Sequence, residues 1–282
     1  MNIDRIYINS LARSASYKMV ENHFHYYYEL YYLRSGSSTF YINNTLYDLH
    51  SGEFLIIPPR EVHFNHYLSQ CVRINLYFNE SDLPTDDEPL MKIIKDRFLK
   101  ICLVHIPGSY RSTINNVFDS MLSEEKVDDE STAKMMRLLL QQLFIYCNRF
   151  CIMDYDGQGN AKDGNEGILE AGRFISENFN QQITLDSMAK LAGLSPSYFS
   201  KKFQLVTGMG MKEYLVYIRL KHAALELLST SHTITEVAAN CGFGDSNYFK
   251  DAFKKTYGLS PRAYRNSKKT NYILEKSLAA QK

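Results

Sequence analysis

Between residues 24 and 78 apolar and polar positions alternate with a period of two, on a background rich in Tyr, Phe, Ile and Val. That period predicts strands with one buried face. Asn43-Asn44 marks a hairpin turn between Phe40-Tyr-Ile and Leu46-Tyr-Asp-Leu49. Gly52-Glu-Phe-Leu-Ile-Ile predicts a short strand stopped by Pro58-Pro59. The acidic stretch 80–89 predicts an exposed loop. The period then changes to that of a helix, over about 111–126 and 131–150. Residues 154–165 hold three glycines and no aliphatic residue larger than Ala161, which predicts a linker. Beyond it almost every stretch has helical spacing. The order is strands, a helix pair, a linker and a helical domain.

The helical half repeats itself. Met188-Ala189, Gly193, Phe199, Phe203, Gly208 and Tyr214 return as Val237-Ala238, Gly242, Phe249, Phe253, Gly258 and Tyr264. Each copy predicts a helix, a glycine turn and a second helix, a helix-turn-helix. Leu185, Met188, Ala189 and Ala192 share one face of the first helix; Ile234, Val237, Ala238 and Cys241 share the equivalent face in the second copy. Thr184, Ser195, Asp245 and the capping box Thr233-Ile-Thr-Glu236 predict the helix starts. On the second helix of each copy the phenylalanines point inward. The opposite faces present Ser197, Ser200, Lys201 and Gln204, then Ser246, Asn247, Lys250, Asp251 and Lys254. These side-chain types suit base edges in a major groove. Lys202, Lys212, Lys255, Arg262 and Lys268 suit phosphates. The helix at 211–228 separates the copies by roughly 27 Å, commensurate with one turn of DNA at about 34 Å.

Charge supports that reading. The chain of 282 residues has net charge +1, but residues 1–160 hold 15 basic against 20 acidic residues and residues 161–282 hold 17 against 11. A basic half on an acidic half predicts that only the C-terminal part meets a polyanion. The composition, 45% hydrophobic and 22% charged, is that of a globular chain. No long apolar run predicts a membrane span, and no apolar leader predicts secretion. The five cysteines (71, 102, 147, 151, 241) form no CxxC, which predicts reduced thiols in a cytoplasmic protein.

The spaced set Ile234, Ala238, Cys241-Gly242-Phe243, Asp245, Tyr248-Phe249, Phe253-Lys254-Lys255, Gly258, Ser260-Pro261 and Tyr264-Arg265 resembles the signature of the AraC/XylS family of bacterial transcription regulators. The resemblance covers residues 166–266 and implies a double helix-turn-helix reading two adjacent major grooves. The family's base-contacting positions fall on Ser197, Ser200 and Lys201, and on Ser246, Asn247, Lys250 and Asp251. Double-stranded promoter DNA and RNA polymerase are the implied partners.

The N-terminal half has its own candidate site. Residues 23, 25, 27, 29, 31 and 33 share one strand face, so His23, His25 and Glu29 converge, and His63 can join them from another strand. This set suits a transition metal or zinc. It also suits a hydroxylated ligand, with the tyrosines at 26, 27, 28, 31 and 32 as stacking surfaces and Arg34 as a further contact. The spacing resembles the two cupin motifs, found in metal-binding β-barrels and in sensor domains of AraC-type regulators. Three positions depart from those motifs: Tyr17, Arg60 and Tyr67. They favour a small organic effector, a sugar or related metabolite, over a metal or other cofactor. His50, His66 and His105 are expected to be ordinary surface or loop histidines.

The expected fold is α+β and multidomain. It comprises a cupin-like barrel with a helix pair (1–153) for effector binding and dimerisation, a linker (154–165), a double helix-turn-helix (166–268) and a tail (269–282). The helix pair carries Met135, Leu138, Leu139, Gln142, Phe144 and Ile145, more apolar surface than a cap on a small barrel needs, and predicts a homodimer. The competing functions are a metal-dependent cupin enzyme or metal sensor fused to a DNA-binding module, and a sequence-indifferent DNA binder. The expected function is a non-enzymatic, effector-controlled transcription regulator.

Overall fold

The computed structural model describes residues 5–15, 25–85, 89–155 and 164–266. The chain divides into two compact units between residues 161 and 162.

The first unit is built on two antiparallel sheets. β1 (Tyr7–Arg13), β7 (Cys71–Phe78), β2 (Tyr28–Ser35), β5 (Glu53–Ile57), β8 (Cys102–His105) and β9 (Ile152–Asp154) form a six-stranded sheet in that order. β3 (Ser37–Ile42) lies between β4 (Thr45–His50) and β6 (His63–Tyr67) in a three-stranded sheet. The β3–β4 hairpin turns on Asn43 and Asn44, both at positive φ (48° and 64°). Two consecutive left-handed residues match the right-handed strand twist, and Asn tolerates that region better than most residues.

Alternation along the strands sorts the side chains into two cores. Leu30, Tyr32, Phe54, Ile56, Ile74, Leu76 and Phe78 point away from the three-stranded sheet into a core shared with helices. Those helices are α1 (Pro89–Arg97), α2 (Arg111–Val127) and α3 (Thr132–Phe150). Met136, Leu140, Leu143, Phe144 and Cys147 are the buried face of α3, and Tyr32 stacks on Phe118 of α2 at 4.7 Å. The odd-numbered positions Tyr31, Leu33, Leu55 and Ile57 point the other way and meet Phe40, Ile42, Tyr47, Leu49 and Tyr67 between the sheets. The helix pair therefore covers the sheet, and Phe144 belongs to that core. Met135 and Leu138 remain exposed, at 44% and 52%.

Several elements were hidden from the sequence pattern: β1, α1, β8 and β9. Of the acidic stretch, residues 80–82 form one turn of 3-10 helix and residues 86–88 lie outside the described set. All five cysteines are free, and four are buried.

The second unit is helical: α4 (Glu166–Glu177), α5 (Leu185–Leu191), α6 (Pro196–Thr207), α7 (Met211–Ser229), α8 (Ile234–Asn240) and α9 (Ser246–Tyr257). The predicted caps form. Thr184 accepts from Ser187 N, Ser195 from Tyr198 N, Thr233 from Glu236 N and Asp245 from Asn247 N. Phe199, Phe203, Phe249 and Phe253 are fully buried. Each stabilises the fold by roughly 1.5–3 kcal/mol through burial alone. Tyr214 near the start of α7 packs edge-on against Phe203, while Leu220, Ala223, Ala224 and Leu227 further along join the core of the second copy. One helix thus braces both copies. Gly193 (φ +66°) and Gly242 (φ +80°) make the turns. A Cβ on Gly242 would come within 2.9 Å of the Asn180 backbone, so glycine is required there for space as well as for φ.

Candidate DNA-reading surface and effector site

The second helix of each repeat exposes the predicted polar face. On α6, Ser197, Ser200, Lys201 and Gln204 are exposed opposite Phe199 and Phe203. On α9, Asn247, Lys250, Asp251 and Lys254 are exposed opposite Phe249 and Phe253. Ser246 is half-buried, its Oγ enclosed and without a hydrogen bond. Lys202 is half-buried and its Nζ donates to the Gly164 carbonyl just before α4. Lys212 and Lys255 are exposed, as is Arg262, while Lys268 lies outside the described residues.

Two arginines of this unit carry structure. Arg219 Nε donates to Phe179 O at 2.7 Å and Nη2 to Gln181 O at 2.9 Å, tying the α4–α5 loop to α7. Arg265 Nε donates to Leu227 O at 3.0 Å. A basic residue in a DNA-binding half invites assignment to phosphate, and only the fold separates these two from the exposed cations.

In the barrel, His25, Glu29 and His63 come together. All three are buried, at 4%, 3% and 1% exposure. One ligand-capable atom from each lies within 4.8 Å of the others. His25 Nε2 is 2.9 Å from Glu29 Oε2, and His63 Nε2 is 3.3 Å from the same oxygen. The other ring nitrogens face carbonyls: His25 Nδ1 is 2.7 Å from Tyr27 O and His63 Nδ1 is 3.0 Å from Glu61 O. A carbonyl only accepts, so both Nδ1 atoms carry hydrogen and donate. Each Nε2 then meets the carboxylate either as a donor, which makes that ring an imidazolium, or as a lone pair that needs a cation between them. Asn75 Nδ2 donates to Glu29 Oε1 at 2.5 Å and to Tyr77 Oη at 2.6 Å. Burial on its own would raise the Glu29 pKa; hydrogen bonds from His25 and His63 outweigh it and hold the carboxyl well below its usual range.

His23 lies outside the described residues. Arg34 is not part of this cluster. It follows Tyr32 and Leu30 on the helix-facing side of β2 and pairs with Asp119 of α2 at 2.7 Å. The reason is parity: an even-numbered residue of β2 faces away from Glu29, Tyr31 and Leu33. Sequence reasoning missed Asn75, Tyr77, Arg73 and Asn65. A signal existed in β7, where Ile74, Leu76 and Phe78 are apolar and Arg73, Asn75 and Tyr77 fall on the other face. His105 is tied to Glu53 at 2.7 Å, and His50 is exposed.

Comparison with known proteins agrees with both halves. A family model described as "AraC-like ligand binding domain" matches residues 10–86, and one described as "Helix-turn-helix domain" matches residues 188–267. Together they cover more than half of the chain. YijO of Escherichia coli, an HTH-type transcriptional regulator, is 35% identical over 130 residues, 46% of this chain and 44% of that protein. The chain thus spans less than half of the length of that relative. The HTH-type transcriptional activator RhaS of Mannheimia succiniciproducens is 25% identical over 264 residues, 90% of this chain and 92% of that protein. The lactose operon transcription activator of Staphylococcus xylosus is 35% identical over 102 residues, 36% of this chain and 37% of that protein. Among the described residues no helix is long and apolar enough to cross a membrane. With a helix-turn-helix domain that follows, in sequence, a domain of the AraC-like ligand-binding type, the chain belongs to the AraC family of DNA-binding transcription regulators.

Proposed function

We propose that this regulator is a one-component switch. A sugar or related metabolite binds inside the barrel (1–153) and alters how the double helix-turn-helix (166–268), carried on the linker 154–165, engages its operator and RNA polymerase. Ser197, Ser200 and Lys201 read bases in one major groove; Asn247, Lys250 and Asp251 read the next, with Lys254 beside them, while the enclosed Oγ of Ser246 stays out of the groove. Lys202, held by Gly164, orients α6. The protein acts as a homodimer through the exposed Met135 and Leu138 on α3, and as an activator, as RhaS and the lactose operon protein are named. It has no catalytic role.

The observation that carries the effector reading is the polarity of the barrel interior. Leu33, Ile42, Leu49, Leu55 and Ile57 line one part of the space between the sheets, while His25, Glu29, His63, Asn65 and Asn75 bury hydrogen-bonding groups in the same unit. An aromatic and aliphatic wall beside buried donors and acceptors suits a hydroxylated ring. Tyr27 stacked on His25 at 4.4 Å adds a flat surface. The test is operator affinity of the full chain with and without a sugar panel. A sugar that changes affinity at least tenfold supports the reading; no response to any sugar contradicts it.

One observation favours a second reading, a metal sensor or metal-dependent cupin enzyme. His25, Glu29 and His63 present two Nε2 atoms and one carboxylate oxygen to a common point, with both Nδ1–H groups anchored on carbonyls. That is a fit for a divalent ion. Elemental analysis of the purified full chain separates the two readings: stoichiometric metal with a lower melting temperature in EDTA supports the second.

A further inference from the structure

The polar part of the barrel interior offers more hydrogen-bonding capacity than the protein uses. Asn65 and Asn75 are almost wholly buried, at 1% and 4% exposure. Their Oδ1 atoms, and that of Asn9, are closed off from solvent and accept nothing. On Arg73, Nε and Nη1 are closed off and donate to nothing. The Asn75 amide cannot be turned round, because its Nδ2 donates to the Glu29 carboxylate, which only accepts.

These groups share one face. Asn9 of β1 stands opposite Asn75 of β7, and Asn75 in turn stands opposite Tyr31 of β2. Arg73 is opposite Leu33, two residues along, with its guanidinium 5.7 Å from the Tyr31 ring centroid. Asn65 lies on the buried face of β6, between His63 and Tyr67.

The charges decide what would satisfy them. Glu29 is engaged by His25, His63 and Asn75. Both Glu29 oxygens are met within that cluster, and neither is bonded by Nε or Nη1 of Arg73. Arg73 therefore brings a positive charge whose Nε and Nη1 no carboxylate among the described residues bonds. Buried unmet donors and acceptors persist where a ligand meets them.

From this balance we infer that the effector is an anionic polyol: a small hydroxylated acid whose carboxylate takes the open donors of Arg73, and whose hydroxyls donate to Oδ1 of Asn75, Asn65 and Asn9. The inference rests on the reading that the barrel holds a sugar-like effector, and narrows it. A neutral sugar leaves the Arg73 charge unanswered. A hydrocarbon acid leaves the amide oxygens unanswered. A phosphate brings a second negative charge toward Glu29.

The test is titration of the full chain, followed by thermal shift, with glucose, galactose and rhamnose, their aldonates and uronates, and the corresponding sugar phosphates. At least one carboxylate should bind about 10- to 100-fold more tightly than its parent sugar, the worth of a hydrogen bond to a charged group. Arg73→Gln should bring that acid down to the parent's affinity and leave the parent unchanged. A parent sugar that binds as tightly as its acids, or an Arg73→Gln variant that weakens both alike, overturns the inference and leaves the sugar reading standing. Preference for a phosphate over the acids also overturns it. If no compound of the panel binds, both fall. Should Arg73→Gln fail to fold, the acid-to-parent ratio of the unaltered chain decides.

Discussion

Asn75 and Glu29 join β7 to β2 by a hydrogen bond of 2.5 Å in the barrel interior, on the same carboxylate that receives His25 at 2.9 Å. A buried carboxylate is costly unless its lone pairs are met, and here Asn75 meets one oxygen and the histidines the other. The site is therefore organised around one residue, and Glu29 is where a substitution reaches furthest.

Glu29→Leu should destabilise the first unit by about 3–5 kcal/mol, because it strands the His25 and His63 donors and Asn75 Nδ2 in the interior. Glu29→Gln keeps the volume and should cost less. The pH dependence has a definite sign. The folded pKa of Glu29 lies below its unfolded value. Its contribution is therefore fully present above the unfolded carboxylate value of about 4.3 and is lost as pH falls toward the folded pKa. Denaturant unfolding from pH 7 to pH 3 should show the gap between the unaltered chain and Glu29→Gln constant above about pH 5 and narrowing below it. A gap that widens on acidification would contradict this assignment.

The two turn glycines should respond unequally to alanine. Gly193 has φ +66° with nothing within 4 Å of a Cβ; Gly242 has φ +80° and the Asn180 backbone within 2.9 Å. Gly193→Ala pays only for the backbone conformation, about 1 kcal/mol. Gly242→Ala adds a clash with main chain and should cost more than twice as much. Thermal unfolding of the two variants checks the order; equal losses would mean that the loop carrying Asn180 yields.

On the DNA-facing helices, Lys201→Ala should narrow the difference in affinity between the cognate site and random duplex. Lys255→Ala should weaken both alike and reduce the slope of log K against log salt by about one. Arg219→Ala should act through stability, since its guanidinium bonds Phe179 O and Gln181 O. Salt-dependent titrations with both duplexes separate the three outcomes. If Lys201→Ala weakens both duplexes equally, Lys201 contacts phosphate.

For assembly, Met135→Glu together with Leu138→Glu should convert a dimer into a monomer with little change in melting temperature, as both side chains are exposed. Sedimentation velocity checks it. A chain that is monomeric before substitution contradicts the dimer.

The helical unit was far more legible than the barrel, for physical reasons. Its elements are local: Thr184, Ser195, Thr233 and Asp245 cap helices within three residues, and Phe199 and Phe203 recur as Phe249 and Phe253. The repetition makes each assignment twice. In the barrel the period-two rule placed Glu29 inward and, because His25 and His63 carry the same chemistry, led to the cluster. The same rule sets Arg34, an even-numbered residue, on the opposite face, where it meets Asp119; grouping it with the cluster overlooked its parity. The alternation in β7 sets Arg73 and Asn75 on the face opposite Ile74 and Leu76, but their partners depend on the pairing of β7 with both β1 and β2, across 40 or more residues of sequence. β8 and β9 are shorter than a pattern can register, at four and three residues. Lys202 shows the limit on the helical side: its spacing is that of an outward cation, and its partner Gly164 is 38 residues away.

The most direct test of the central claim is selection of bound duplexes from a random library by the full chain, repeated with Lys201→Ala and with Asn247→Ala. Two helix-turn-helix copies reading successive major grooves predict an enriched site with two conserved blocks about 10 base pairs apart. Lys201→Ala should relax one block only, and Asn247→Ala the other. A single block, or enrichment that neither substitution alters, would contradict the claim that both copies read DNA.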